Sequence, residues 1–462
     1  MGKYNVFAVL ILVLILSGTA FADTDCNEYD QRGQYDNAIY ACTDDINSGL
    51  DSGDNLAADY INRGLAYRHK GEYDLAIADY NKAIELDPSD AIAYDNRGYA
   101  YLGKGEYDLA IADYNKGIEL DPSEATAYDN RGYAYLGKGE YDLAIADYNK
   151  VIELNPSDAV LYDNRGYAYF GKSEYDLAIA DYNKAIELDP SDAVAYSYRG
   201  HAYFDKGEYD LAIADYNKVI ELDPSDAIAY SYRGSAYSFK GGYEEAIADF
   251  NKTIQLDPSS EDAYLNRGDA YMNKGEYGKA IQDFNKATGL KPSDEMPFLV
   301  RGIIDYAKGD YDLAVSEFTK AAGLYPKEDV SRIWLFLAGR RAHPERANDK
   351  MAELEKYANE NSPTGWTGTL INYYLGRLTE KGVLEDAQKP EKGKDLKKSF
   401  AEAYLYLAEE RLWNKDIKGA REFFQKSIGA GAHALAINAV SREELKRLPS
   451  VKSTVTKKKK KK

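Results

Sequence analysis

Between residues 91 and 124 the apolar and small side chains recur at helical intervals. Tyr94, Gly98 and Tyr101 fall on one face, and after a polar break at 103–106, Ala110, Tyr114 and Gly117 fall on another. Spacings of three, four and seven place each set on one side of an α-helix, so helices are expected over about 91–102 and 108–120. Gly105 stands where the first helix must stop in a left-handed cap, and Asp121-Pro122-Ser123 ends the second. The segment reads as a helical hairpin.

The hairpin is repeated. The stretch YDNRGYAYLGKGEYDLAIADYNK at 94–116 returns almost unchanged at 128–150, and versions of it start at Tyr60, Tyr162, Tyr196, Tyr230, Tyr264 and Phe298, always 34 residues apart. A fixed period of that length marks a stacked array in which each unit buries its apolar face on its neighbours. Eight units follow, at 57–90, 91–124, 125–158, 159–192, 193–226, 227–260, 261–294 and 295–328. Position eight is glycine in all of them, from Gly64 to Gly302, and a small residue at position twenty, such as Ala110, is expected opposite it, so that the two helices approach closely. Position fifteen is glycine except in unit four, which has Ser173.

These positions resemble the tetratricopeptide repeat: Tyr94 at four, Gly98 at eight, Tyr101 at eleven, Ala110 at twenty, Tyr114 at twenty-four and Pro122 at thirty-two. The resemblance implies an all-α solenoid, a right-handed superhelix of helical hairpins. One column departs from the family. Position seven, usually leucine, is an arginine throughout, Arg63 to Arg301, and position twenty-three is an aspartate in seven units and Glu317 in the eighth. An interhelical ion pair, Arg97 with Asp113 for example, is the expected role; gripping an anionic ligand is the alternative.

By the same resemblance, positions two, five, nine, twelve and thirteen line a concave groove. Units two to four place Asp95, Asp129 and Asp163 at five, Asn96, Asn130 and Asn164 at six, and Tyr99, Tyr133 and Tyr167 at nine. Carboxylates beside aromatic rings suit an extended basic peptide. Units five and six change the set to Ser197, Ser231, His201 and Ser235. The acids and rings at five and nine do not fit the Lys, Asn and Arg set with which some family members clamp C-terminal carboxylates.

Charge narrows the class of partner. Residues 1–328 carry net −29 and residues 329–462 net +10, within a total of −19. So acidic an array repels nucleic-acid phosphates and favours basic partners. Acidity also serves solubility alone, and head-to-tail assembly of the acidic array with the basic C-terminal region is the alternative function, a self-assembling structural scaffold.

At the N-terminus a basic start, an apolar run from Tyr4 to Leu16 and the pattern ending in Ala20-Phe21-Ala22 predict a signal peptide over 1–22 and export to the periplasm or beyond the cell. No lipobox precedes Cys26. Gly33, Tyr35 and Ala38 match positions fifteen, seventeen and twenty, which makes 23–56 a truncated repeat with Cys26 at eight and Cys42 at twenty-four. Those positions face each other across the hairpin, and in an exported protein a disulfide is expected, worth about 3 kcal/mol for a loop of ~15 residues.

Beyond Pro326 the strict period stops, and all three Trp lie here. Helices are expected at about 329–341, 345–360, 365–379, 396–414, 418–428 and 434–447, with 401–434 as a degenerate ninth repeat closing the domain 329–448. RIWLFLAGRR at 332–341, INYYLGRLT at 371–379 and AYLYLAEERL at 403–412 resemble the C-terminal part of bacterial envelope adaptor lipoproteins built from such repeats. The Lys-rich tail, 449–462, has three candidate fates: solvation, contact with anionic lipid or lipopolysaccharide, or folding back on the acidic array.

Chemistry finds no foothold. The four histidines, His69, His201, His343 and His433, stand apart from any Cys or carboxylate at metal-ligand spacing, and the Gly-Lys-Gly of each unit ends a helix instead of cradling phosphate. The reading is therefore an exported non-enzymatic adaptor or scaffold, without cofactor or metal, that binds protein or peptide partners in the bacterial cell envelope.

Overall fold

A computed structural model describes residues 29–49, 52–327, 329–389, 396–430 and 435–449. The expected signal peptide, Cys26 and the lysine tail lie outside the described residues. The chain forms two compact units, one up to Ala202 and one from Tyr203.

In the first unit the helix Tyr35–Ser48 precedes four hairpins: Asp54–His69 with Tyr73–Leu86, Ala91–Gly103 with Tyr107–Leu120, Ala125–Lys138 with Tyr141–Leu154, and Ala159–Gly171 with Tyr175–Leu188. Each helix packs on the next in order. The local chemistry explains the borders. Asp90 and Asp158 cap first helices with their side chains, Asp90 accepting from the Ile92 and Ala93 amides. Every residue at position fifteen from Gly71 to Gly309 has positive φ, and Ser173 adopts the same conformation at φ 61° without being glycine. The chain then closes back, Glu106 N donating to the Tyr101 carbonyl at 2.9 Å.

The glycine column meets a different neighbour from the one expected. A Cβ on Gly98 would lie 2.9 Å from the Tyr114 ring, and Gly64, Gly132, Gly166, Gly234, Gly268 and Gly302 meet the ring at position twenty-four in the same way. The bulky ring, not the alanine at twenty, takes the space that glycine leaves. These rings are the largest side chains of each repeat core: Tyr80, Tyr114, Tyr148 and Tyr182 are essentially fully buried.

The second unit continues with Tyr209–Leu222, Ala227–Lys240, Tyr243–Leu256, Glu261–Asn273, Tyr277–Leu290, Met296–Lys308 and Tyr311–Leu324, and then departs from the period. Asp329–Ala342, Ala347–Asn361, Gly365–Tyr374, Glu380–Ala387, Leu396–Trp413, Ile417–Gly429 and Leu435–Arg447 follow. The stretch expected as one helix over 365–379 is cut by Gly376 at φ 71°, and Thr379 starts a further helix by accepting from the Gly382 amide. Trp334 stacks on Phe318, 5.8 Å between ring centroids, and meets Tyr306 edge-on at 5.3 Å, at the centre of the core. The C-terminal helix Leu435–Arg447 packs on Glu261–Asn273 and Met296–Lys308, the first helices of repeats seven and eight. It is held by an ionic seam: Arg341 donates to Glu409 at 3.0 Å and to Glu444 at 3.3 Å, both buried, and Tyr306 donates to Glu409 at 2.7 Å.

Candidate peptide-binding face

The arginine column is structural. Arg97 donates through Nε and Nη2 to both oxygens of Asp113, at 2.8 and 2.6 Å, and through Nη1 to Asn81 of the preceding repeat at 2.6 Å. Arg131, Arg165, Arg233 and Arg267 repeat this arrangement, and Arg301 pairs with Glu317. The bidentate pair joins the helices of one hairpin and the third bond ties it to its neighbour. A second lattice, which the sequence reading passed over, links lysines at fourteen to acids at eighteen of the preceding repeat: Lys104 to Asp74, Lys138 to Asp108, Lys172 to Asp142. The fixed spacing of oppositely charged columns was its available signal.

The residues expected to bind peptide share the first helices of repeats two to four. Asp95 and Tyr99 are one turn apart on Ala91–Gly103, as are Asp129 with Tyr133 and Asp163 with Tyr167 on theirs. The rings run along one face. Tyr133 is 47% exposed and Tyr167 42%, and Tyr167 lies 5.6 Å from Tyr198 of the next repeat.

The aspartates are not freely solvated. Asp163 is only 6% exposed, and the Oδ1 atoms of Asp95, Asp129 and Asp163 are buried without hydrogen-bond partners. Burial, with acidic neighbours second, pushes Asp95 up to about 7, Asp129 to about 6 and Asp163 to about 9. The neighbours are the acids at position thirty-four, the last residue of each repeat: Glu124 beside Asp95, Asp158 beside Asp129, and Asp192 beside Asp163. Asn164 partly offsets the rise at Asp129, and Asn96 donates to the Ile92 carbonyl at 3.0 Å. In repeat five His201 sits 6.4 Å from Tyr198 and burial pushes its pKa down to about 4; in repeat six Ser235 donates to the Ser231 carbonyl at 3.0 Å.

One contact on this face escaped the sequence reading. Arg68, at position twelve of repeat one, lies 4.4 Å over the Tyr99 ring and donates to Asn96 Oδ1 at 3.2 Å. It is the basic residue in a column otherwise filled by Leu102, Leu136, Phe170, Phe204, Ser238, Met272 and Tyr306, so the departure was visible. Among the described residues no group of three or more His, Cys, Asp or Glu is placed to hold a metal ion, and no helix is long and apolar enough to cross a membrane.

Stacked helical hairpins with fixed glycine, aromatic and ion-pair columns define a repeat-built interaction protein. The chain belongs to the tetratricopeptide repeat family: models described as TPR repeat match residues 64–105, 166–207, 200–241 and 239–275, and models described as tetratricopeptide repeat match 96–159 and 261–294. Proteins of this family are protein–protein interaction modules. The chain is similar to YrrB, a solved tetratricopeptide protein with an unusual peptide-binding site, at 30% identity over 40% of this chain and 95% of that one, TM-score 0.35. It is similar to MamA at 32% identity over 35% and 94% of the two chains, TM-score 0.34, and to a tetratricopeptide protein of Parabacteroides merdae at 24% over 51% and 93%, TM-score 0.43. None of the curated proteins matches the chain.

Proposed function

We propose that the chain is an exported adaptor or scaffold of the bacterial cell envelope that binds a basic peptide or protein segment along the first helices of repeats two to four. The observation that carries this is the row Asp95, Asp129 and Asp163, with buried oxygens lacking hydrogen-bond partners, beside partly exposed tyrosine rings. An extended cationic segment would cover those rings, with the carboxyl groups beneath it supplying negative charge. The helices are already folded, so the ordering cost falls on the ligand. In repeats seven and eight the first helices are engaged by the chain's own C-terminal helix, which directs a partner to the first unit.

The test is capture from envelope extract by the chain beside a variant with Asp95, Asp129 and Asp163 changed to Ser. A partner held by the first and lost by the second is the expected result. Equal capture overturns the face as the site, and capture of the protein alone favours the self-assembling scaffold.

Export rests on the N-terminal pattern, and a disulfide would accompany it. Cys42, fully buried, takes the position that elsewhere holds the ring against glycine at eight, and Cys26 takes the glycine's place. Thiol labelling of the unreduced secreted protein should find no free thiol; two would remove the bridge.

A further inference from the structure

Arg68 shows what this face does with a guanidinium. Among the described residues it pairs with no carboxylate; its guanidinium lies over the ring at position nine of the following repeat, 4.4 Å from the centroid, and donates to the amide oxygen at position six. Asn96 is oriented for that bond, because its nitrogen is spent on the Ile92 carbonyl and its oxygen is left to accept.

Repeats three and four carry the same pair of groups, Asn130 with Tyr133 and Asn164 with Tyr167, but position twelve of the repeat before each is Leu102 or Leu136, which cannot donate. The two rings stay 47% and 42% exposed. One turn before each ring sits an aspartate with an unpartnered buried oxygen, and Asp163 is 6% exposed. Its strongest electrostatic neighbours are acids, Asp192, Asp181 and Asp189.

We propose that the first unit binds two arginine side chains of an extended peptide, one on Tyr133 and Asn130 beside Asp129, the next on Tyr167 and Asn164 beside Asp163, as Arg68 sits on Tyr99 and Asn96. This rests on the reading of the face as a peptide-binding face and names the ligand chemistry. Arginine fits and lysine does not, because a planar guanidinium stacks on a ring while its edge donates to an amide oxygen, whereas an ammonium is a point charge that must choose. Packed helices are spaced roughly 8–10 Å apart, first helices of successive repeats stand at least that far apart, and an extended chain advances about 3.3 Å per residue, so the arginines stand about three or more residues apart.

The experiment measures binding of the full chain to a labelled ten-residue peptide containing Arg-Ala-Ala-Arg, beside the same peptide with Lys or Gln at both positions. The Arg peptide should bind about tenfold tighter than the Lys peptide, and Gln should abolish binding. Tyr133→Leu with Tyr167→Leu should bring Arg affinity down to the Lys level, while Tyr133→Phe with Tyr167→Phe, which keeps the ring faces, should retain it. Asn130→Ala with Asn164→Ala supplies a milder variant whose fold circular dichroism checks. Equal binding of Arg and Lys peptides, or indifference to both the Leu and the Ala pairs, overturns the proposal. If neither peptide binds yet an envelope partner is captured in an Asp95-, Asp129- and Asp163-dependent way, the arginine assignment falls and the peptide-binding face stands; if no partner depends on those residues, both fall.

Discussion

Gly132 illustrates how one residue type fixes the geometry of a repeat. A Cβ there would lie 3.0 Å from Cζ of Tyr148, a fully buried ring held by its own helix. Replacing Gly132 by Leu should overpack the hairpin and cost about 1–3 kcal/mol, read as a lower melting temperature; an unchanged one would contradict the close contact. The column was legible in the sequence because glycine recurs at position eight, but its neighbour was not. Periodicity tells which residues share a face, not which side chain of the partner helix fills the gap, and the ring at twenty-four reaches further than the alanine at twenty. The same limit applies to Asp95, Asp129 and Asp163. Their side of the helix could be read from the sequence, whereas their burial depends on tertiary packing, as where Asp95 Oδ1 lies against Gly117 of the second helix.

At the scale of the element, the hairpins were legible almost to the residue, since the capping aspartates and turn glycines are local signals. Ser173 tests that logic. It holds φ 61° where the other repeats have glycine, and a side chain in that conformation costs on the order of 1 kcal/mol, so Ser173→Gly should stabilise the protein by up to that amount in urea denaturation, less the added chain entropy of glycine. The extra helix Glu380–Ala387 was not legible, because outside the repeats a single Gly376 decides whether one helix continues or two form. The docking of Leu435–Arg447 was also invisible, as it depends on charges from three separate segments meeting. Arg341 joins buried Glu409 and Glu444 there. Changing it to Met should cost about 3–5 kcal/mol by leaving buried Glu409 without its cation, while Glu444 keeps Arg447, and the loss should shrink as pH falls, because burial and Glu409 raise the pKa of Glu444 and its protonated form repels Glu409 less. Denaturant melts of the variant at pH 7 and pH 5 measure both effects.

Across the whole molecule the acidic excess does two things at once. With a net charge of −19, it draws a basic ligand from a distance, a steering that salt screens. On the face itself crowding and burial make the carboxyls hold their protons: the usual value of 3.8 is pushed to about 7 at Asp95, about 6 at Asp129 and about 9 at Asp163. For an acid shifted upward, the folded state prefers the protonated form, so these groups favour folding below pH 3.8 and that contribution is lost as pH rises through the raised values. A cationic ligand prefers the ionised form and must displace protons. Affinity for a basic peptide should therefore rise with pH from about 5 to 9, in step with proton release on binding, while the stability of the free protein falls over the same range. Titration calorimetry in buffers of different ionisation enthalpy reads the released protons directly. If affinity is flat across that range with no proton release, the peptide lies elsewhere than on these three aspartates.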